Sequence, residues 1–400
     1  MDQRRFVILV ADSAGCGALP DAALYGDAGS NTIGHVAAAV GGLALPNLGR
    51  LGLGNVLPVV GVPPDPAPAG FHGRMAERSP GKDTTTGHWE MMGVVLKEPL
   101  ALFPRGFPPE ILGPWLAETG APGVLGNEVA SGTEIIQRLG AEHQRTGKPI
   151  VYTSADSVFQ VAAHTGTVPL ETLYRWCEIA RRRLDSYRVA RVIARPFVGS
   201  PGAYTRTYDR KDFSLAAPAP TVLEALAAAG VPVVGVGKIP DIYDRRGISR
   251  EVHTAGNADG LARAEALLGE LERGLLFVNL VDFDMLYGHR RDVKGYARAL
   301  EELDRALPRL LARLRPGDVL AITADHGCDP THAGTDHTRE HVPLLVHAGG
   351  RGGALGVRGS FADLGATCAG FFGVPAQVGT SFLDQLASAS PSLAAPPPRP

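Results

Sequence analysis

Along the chain, short unbroken apolar runs alternate with longer amphipathic stretches. Four runs rich in aliphatic and β-branched residues stand out: Phe6–Ala11, Val231–Val236, Leu275–Val281 and Asp318–Thr323. Each is bounded by turn residues and shows no polar alternation, the pattern of strands buried on both faces of a parallel sheet. Apolar positions at helical spacing predict helices over Thr32–Val40, Thr221–Ala229, Ala258–Arg273, Gly295–Arg313 and Phe361–Phe372. Strand–helix alternation of this kind predicts an α/β core, a doubly wound and mainly parallel sheet.

The pattern changes after Leu96. Through Ala216 the chain is richer in proline, arginine and aromatic residues, with helices predicted at Thr133–Arg145 and Leu170–Ser186 and strands at Pro149–Thr153 and Arg188–Ala194. This predicts an inserted, smaller α+β domain at 98–217, leaving a discontinuous core of 1–97 and 218–387. Pro58–Gly70 reads as a proline-rich surface loop, and the Ser/Ala/Pro-rich residues 388–400 read as a disordered tail. No internal repeat is visible.

Composition narrows the function classes. With 44% hydrophobic and 20% charged residues and a formal net charge of −2 over 400 residues, nothing favours a nucleic-acid or anionic-membrane surface. Cys16, Cys177, Cys328 and Cys368 are far apart and form no C-x-x-C pair, which fits a reducing compartment. Arg4-Arg5 before Phe6–Ala11 imitates a signal peptide, but the apolar run is too short and Asp12 ends it. A cytoplasmic, soluble monomer is the expectation. Arginine heavily outnumbers lysine, a bias that genome composition and heat adaptation both produce.

The chemistry collects at strand ends. The strand ending at Thr323 runs into Asp325-His326, followed by Asp329, His332, Asp336, His337 and His341. The strand ending at Val281 runs into Asp284 and His289, and the first strand into Asp12. Open α/β sheets place their ligands at the carboxyl ends of strands. Carboxylates with neutral imidazoles are a ligand set for Zn²⁺ or Mn²⁺. Taken singly, each His reads equally as a satisfied loop residue and Asp12 as a cap or turn residue; their convergence on one edge points to two divalent ions in one site.

A second stretch, Ser79–Gly93, contains a Pro80-Gly81 turn and a helix starting at Asp83 or Thr84. A hydroxyl at a helix N-terminus sits where backbone dipoles favour phosphate. Gly81-Lys82 is not a P-loop, because G-x-x-x-x-G-K-[ST] is absent. Thr84-Thr85-Thr86 alone also reads as a capping run. Two further stretches, Tyr152–Ser157 and Arg191–Phe197, offer a carboxylate and guanidiniums suited to hydroxyl and phosphate recognition, or to surface salt bridges.

These residues carry a resemblance. Gly81-Lys-Asp-Thr-Thr-Thr-Gly-His-Trp-Glu90, Tyr152-Thr-Ser-Ala-Asp-Ser-Val158, Val281-Asp-Phe-Asp284, Gly288-His-Arg-Arg291, Ala324-Asp-His-Gly327 and Gly334-Thr-Asp-His-Thr-Arg-Glu340 resemble the motifs of the alkaline phosphatase superfamily, and within it those of the bacterial phosphopentomutases. The likeness runs from about Phe6 to Leu386. It implies an isomerase that moves phosphate between C1 and C5 of ribose or deoxyribose through a phosphothreonine and a sugar bisphosphate. It also implies Thr84 as nucleophile, one Mn²⁺ on Asp12, Asp325 and His326, and a second on Asp284, His289 and His337. Asp156, Arg191 and Lys238 match substrate-contacting positions of a cap domain. Two positions depart from the pattern: Cys328 stands where Asn is expected, and Thr85 where Met is. A phosphatase or phosphoglycerate mutase shares the metal motifs but not the cap motifs. A non-catalytic sugar-phosphate sensor would not need a nucleophile and six ligands.

Overall fold

The computed structural model describes residues 3–154 and 156–388. The described residues form two compact units, one running up to Glu98 and resuming at Ala217, the other spanning Pro99–Ala216.

The first unit is built on an eight-stranded sheet. In spatial order its strands are Arg250–Val252, Val233–Val236, Gly274–Leu280, Arg5–Ala11, Val319–Thr323, Val342–His347, Phe71–Met75 and Gly353–Arg358. The first five run parallel. The three strands at its centre, Gly274–Leu280, Arg5–Ala11 and Val319–Thr323, are buried at every residue, as their unbroken apolar runs demand. Val342–His347 is antiparallel to both its neighbours. The chain returns to it from Thr323 through a long loop without a crossover helix, and a parallel return would require a crossover.

Helices pack in two separate groups, so the sheet is wound on both faces. Val293–Ala312 contacts both Asn257–Glu270 and Thr32–Ala39, whereas Ala362–Phe372 contacts Val222–Ala228 and Thr84–Met91. Their ends follow local chemistry. The helix expected from Gly295 starts at Val293 because the Asp292 side chain caps it, accepting from Gly295 N at 2.8 Å. Thr221 and Glu224 form a reciprocal capping box at the start of Val222–Ala228. At the base of the sheet, Arg5 is buried against Asp318, donating from its backbone N (2.8 Å) and from Nε (2.9 Å). Phe71–Met75 and Gly353–Arg358 carry no clean apolar run and owe their strand character to distant partners, whereas Val342–His347 is a short apolar run interrupted by Pro343.

The second unit contains a sheet ordered Leu125–Val129, Ile150–Thr153, Val158–His164, Arg191–Val198 and Thr205–Arg206, with Lys211–Ser214 also pairing Arg191–Val198. One core packs Trp115, Phe159 and Trp176 together, and another packs Ile135, Ile150, Phe197 and Tyr204. The strand expected at Arg188–Ala194 is displaced to Arg191–Val198. Arg188 is spent on a turn: it has φ of 54° and donates from its N to Asp185 O. The expected tail at 388–400 falls largely outside the described residues; Ser388 closes the helix Leu383–Ser388.

Candidate metal centre

The register of the central strands brings the distant acidic residues together. Val10 lies opposite both Asn279 and Thr323 in parallel pairing. The three strands therefore end level, and Asp12, Asp284, Asp325 and His326 leave them on one edge. Asp284 sits in a single turn of π-helix, Phe283–Gly288, directly after its strand. Such turns are rare and recur at functional sites. The wider turn presents Asp284 inward and hands the chain to His289.

Six expected ligands meet here. His326 Nε2 lies 3.5 Å from Asp12 Oδ1 and 3.4 Å from Asp325 Oδ2. His337 Nε2 and His289 Nε2 lie 3.2 Å and 3.4 Å from Asp284 Oδ1. The His326 and His337 rings are 4.0 Å apart between centroids, which joins the two halves. Asp12–Asp325–His326 and Asp284–His326–His337 each bring their ligand atoms within 4.8 Å of one another. Asp12, Asp325 and His326 are essentially inaccessible to solvent, and only His289 is part-exposed.

The charges explain why this arrangement calls for cations. Burial pushes the Asp325 carboxyl up, but the charges of His326 and His88, with hydrogen bonds from His88 and Ser13 N, outweigh it and hold it at about 2. Burial opposes a proton on His326, yet Asp325, Asp12 and Asp284 raise its pKa well above the ordinary imidazole value. The buried carboxylate oxygens Asp12 Oδ1, Asp284 Oδ1 and Asp325 Oδ2 converge with imidazole nitrogens at 3.2–3.5 Å. Buried carboxylates need their charge met. Hard oxygens and imidazole nitrogens in this proportion fit a divalent metal ion.

Outer contacts hold these candidate ligands still. Asn279 Nδ2 donates to Asp12 Oδ2 (3.0 Å), Ser13 N donates to Asp325 Oδ1 (3.0 Å), and His289 Nδ1 is 2.6 Å from Thr335 O. Fixing the second nitrogen of a ligating imidazole sets its tautomer and orientation. Asn279 was signalled only as a lone amide in an apolar strand.

Thr84 begins the helix Thr84–Met91, capped by Asp83, whose Oδ1 accepts from Thr85 N and Thr86 N. Its Oγ1 lies 3.2 Å from His326 Nε2. His88, one helical turn on, places Nδ1 2.8 Å from Thr84 O and 3.2 Å from Asp325 Oδ2. The loop before Thr84 is gripped on both its donors and its acceptors. Glu90 accepts from Arg78 N, Ser79 N, Ser79 Oγ, Ser360 Oγ and Phe361 N. Arg339 donates to Ser79 O (2.8 Å), Gly81 O (2.5 Å), Glu77 O (3.0 Å) and Glu77 Oε2 (2.8 Å). Both residues stand inside the quoted motifs, but spacing alone gave them no role.

Of the other sequence candidates, Lys238 joins the edge of the cluster, with Nζ 3.6 Å from Asp12 Oδ2. Asp329, His332 and His341 serve the loop instead. Asp329 pairs with His35 and accepts from Asn31 N, His332 reaches Gly26 O and His341 reaches Gly17 O. In the second unit, Arg191 lies 3.7 Å from Asp156 and 3.9 Å from Asp212.

Comparison with known proteins agrees with this geometry. The model of the metalloenzyme superfamily matches residues 4–376. The chain is 76% identical to the phosphopentomutase of Anaeromyxobacter dehalogenans (strain 2CP-C) over 96% of its own length and 99% of that protein's. It is 74% identical to the phosphopentomutase of Anaeromyxobacter sp. (strain Fw109-5), covering 96% and 100%, and 56% identical to that of Kosmotoga olearia, covering 96% and 99%. With a buried carboxylate–imidazole cluster beside a helix-initial hydroxyl, and likeness of this extent, the chain belongs to the phosphopentomutase family, isomerases of the metalloenzyme superfamily related to the alkaline phosphatases.

Proposed function

We propose that the chain interconverts ribose 1-phosphate, or deoxyribose 1-phosphate, and the corresponding 5-phosphate through a phosphothreonine at Thr84 and a sugar bisphosphate. The observation that carries this reading is Thr84 Oγ1 at 3.2 Å from His326 Nε2, on the rim of the buried ligand cluster. Two Mn²⁺ would be held, one by Asp12, Asp325 and His326, the other by Asp284, His289 and His337. When bound, such ions stabilise negative charge on a phosphoryl group and lower the pKa of a coordinated hydroxyl.

The chain's own residues do the rest. Phosphorylated Thr84 gives its phosphoryl group to the free O1 or O5 of the sugar phosphate: the P–O bond to Thr84 breaks as the new sugar ester forms, and the sugar hydroxyl proton passes to the freed Thr84 oxygen. The resulting bisphosphate returns its other phosphate to Thr84, with the proton of the Thr84 hydroxyl passing to the leaving sugar oxygen. Helix Thr84–Met91 directs its positive dipole end toward the transferring oxygens. Asp156 would bind sugar hydroxyls, while Arg191 and Lys238 would hold the phosphate distant from the reacting atom. Residues 1–97 and 218–387 would be the metal-binding catalytic domain, and 98–217 the cap that carries substrate contacts. No helix among the described residues is long and apolar enough to cross a membrane, which accords with a cytoplasmic enzyme acting on small sugar phosphates.

The test is an assay of both outputs from ribose 1-phosphate: ribose 5-phosphate and inorganic phosphate. The Mn²⁺-loaded chain should form ribose 5-phosphate with little phosphate release, and mass spectrometry should find the phosphate on Thr84. Arg191→Ala should lower isomerisation more than phosphate release. Phosphate release without ribose 5-phosphate would make the chain a phosphatase and overturn the reading.

A further inference from the structure

One group at the centre has no part in the reading above. Cys328 Sγ lies with a carboxylate oxygen of Asp284 and a ring nitrogen of His289 so that all three are within 4.8 Å of one another. We propose that Cys328 is an additional ligand of the ion held by Asp284 and His289, raising that half's affinity for thiophilic divalent cations relative to Mn²⁺ without excluding Mn²⁺. The inference rests on the two-metal reading and adds a sulfur ligand to it.

The thiol is placed rather than merely enclosed. Cys328 is buried (1% exposed), and its backbone N donates to Ser13 O (3.1 Å) and Thr32 Oγ1 (3.2 Å). Its position is thereby tied to the strand that supplies Asp12. Among the described residues the sulfur makes a weak contact, with Asp336 O at 3.6 Å. The π-helical turn bearing Asp284 closes directly over it: a Cβ at Gly288 would come within 2.8 Å of Sγ. The absence of a side chain at Gly288 is what lets sulfur, carboxylate and the following imidazole approach one point. The buried Asp284 Oδ1 at that point also lies 3.4 Å from His289 Nε2 and 3.2 Å from His337 Nε2.

On coordination the S–H bond breaks, its electron pair stays on sulfur and forms the metal–sulfur bond, and the proton leaves to solvent. Nothing is oxidised or reduced. Thiolate is a soft donor suited to Zn²⁺, Co²⁺ or Cd²⁺, whereas Mn²⁺ prefers oxygen, so one sulfur shifts selectivity between these classes.

Co²⁺ is the probe. The full chain, stripped of metal by chelation, is titrated with Co²⁺ while its absorption and bound metal are read. The expected result is visible d–d bands together with a thiolate-to-cobalt charge-transfer band in the near ultraviolet. Cys328→Ser should keep the d–d bands, lose the charge-transfer band, and lose about tenfold or more of the Cd²⁺ preference over Mn²⁺ in competition. The triple variant Cys16→Ser, Cys177→Ser, Cys368→Ser should keep the band, which assigns it to Cys328 even if the Cys328 variant folds poorly. Visible bands without charge transfer in the unmodified chain, or an unchanged Cd²⁺/Mn²⁺ ratio in folded Cys328→Ser, overturn the sulfur ligand while leaving the metal centre standing. Absence of any bound metal overturns both.

Discussion

Thr84, Thr85 and Thr86 are adjacent and chemically alike, yet their surroundings separate them. Thr86 Oγ1 donates to Asp83 Oδ2 at 2.5 Å, inside the helix cap, whereas Thr84 Oγ1 faces His326. Thr84→Ala should therefore lower isomerase turnover by at least about a thousandfold with the fold intact. Thr86→Ala should cost about 1 kcal/mol of stability and leave substantial activity. Steady-state kinetics beside urea unfolding separates these, and a dead Thr86→Ala with active Thr84→Ala would reverse the assignment. A second residue-scale case is Asp212 in the other unit. Burial raises its carboxyl pKa, but hydrogen bonds from Arg210 and the charges of Arg210, Arg191 and Arg195 outweigh this and lower it below the usual carboxylate value. A depressed folded-state pKa contributes stability above the unfolded value of about 4 and loses it as pH falls through the folded one. Asp212→Asn should thus be less stable than the parent by about 1–2 kcal/mol at pH 7. The gap should close toward pH 3 in urea titrations.

At the scale of elements, the helix Thr84–Met91 matters less for its own stability than for the loop it anchors. Glu90 near its end receives the backbone donors of that loop, and Arg339, from the loop after the strand Val319–Thr323, receives its carbonyls. Each is almost wholly buried. Glu90→Gln would turn an amide NH₂ toward donors that need an acceptor, and should cost about 2–4 kcal/mol. Because the loop sets Thr84, kcat should fall with it while KM changes little; a variant of parental stability would show that the carboxylate is not the anchor.

For the whole molecule, three buried carboxylates at one sheet edge make the fold of the first unit responsive to cations. A ligand that binds only the folded state at a thousand times its Kd adds about 4 kcal/mol. Chelator should therefore lower the thermal midpoint by roughly 5–10 °C, and Mn²⁺ should restore it. Asp284→Ala should blunt that metal-dependent rise. An unchanged midpoint in excess chelator would speak against buried metal ligation.

Much of this was legible in the chain alone, because a buried parallel strand needs an unbroken apolar run, and such a run can be read without knowing its neighbours. Phe6–Ala11, Leu275–Val281 and the strand before Asp325 were recognisable for that reason, and with them the acidic residues at their ends. Thr84 was readable as a helix-initial hydroxyl, though not as distinct from Thr85 and Thr86. The strand Phe71–Met75 was not readable, since its own residues carry a weak signal, and in Val342–His347 the proline at 343 obscured an otherwise apolar strand. Nor were the duties of Glu90, Arg339, Asn279 and His88. A buried polar side chain is defined by what it touches, and those contacts exist only once the chain has folded. Cys328 was readable as a soft donor beside the candidate metal residues, but that its sulfur meets Asp284 and His289 follows from the π-helical turn ending in Gly288.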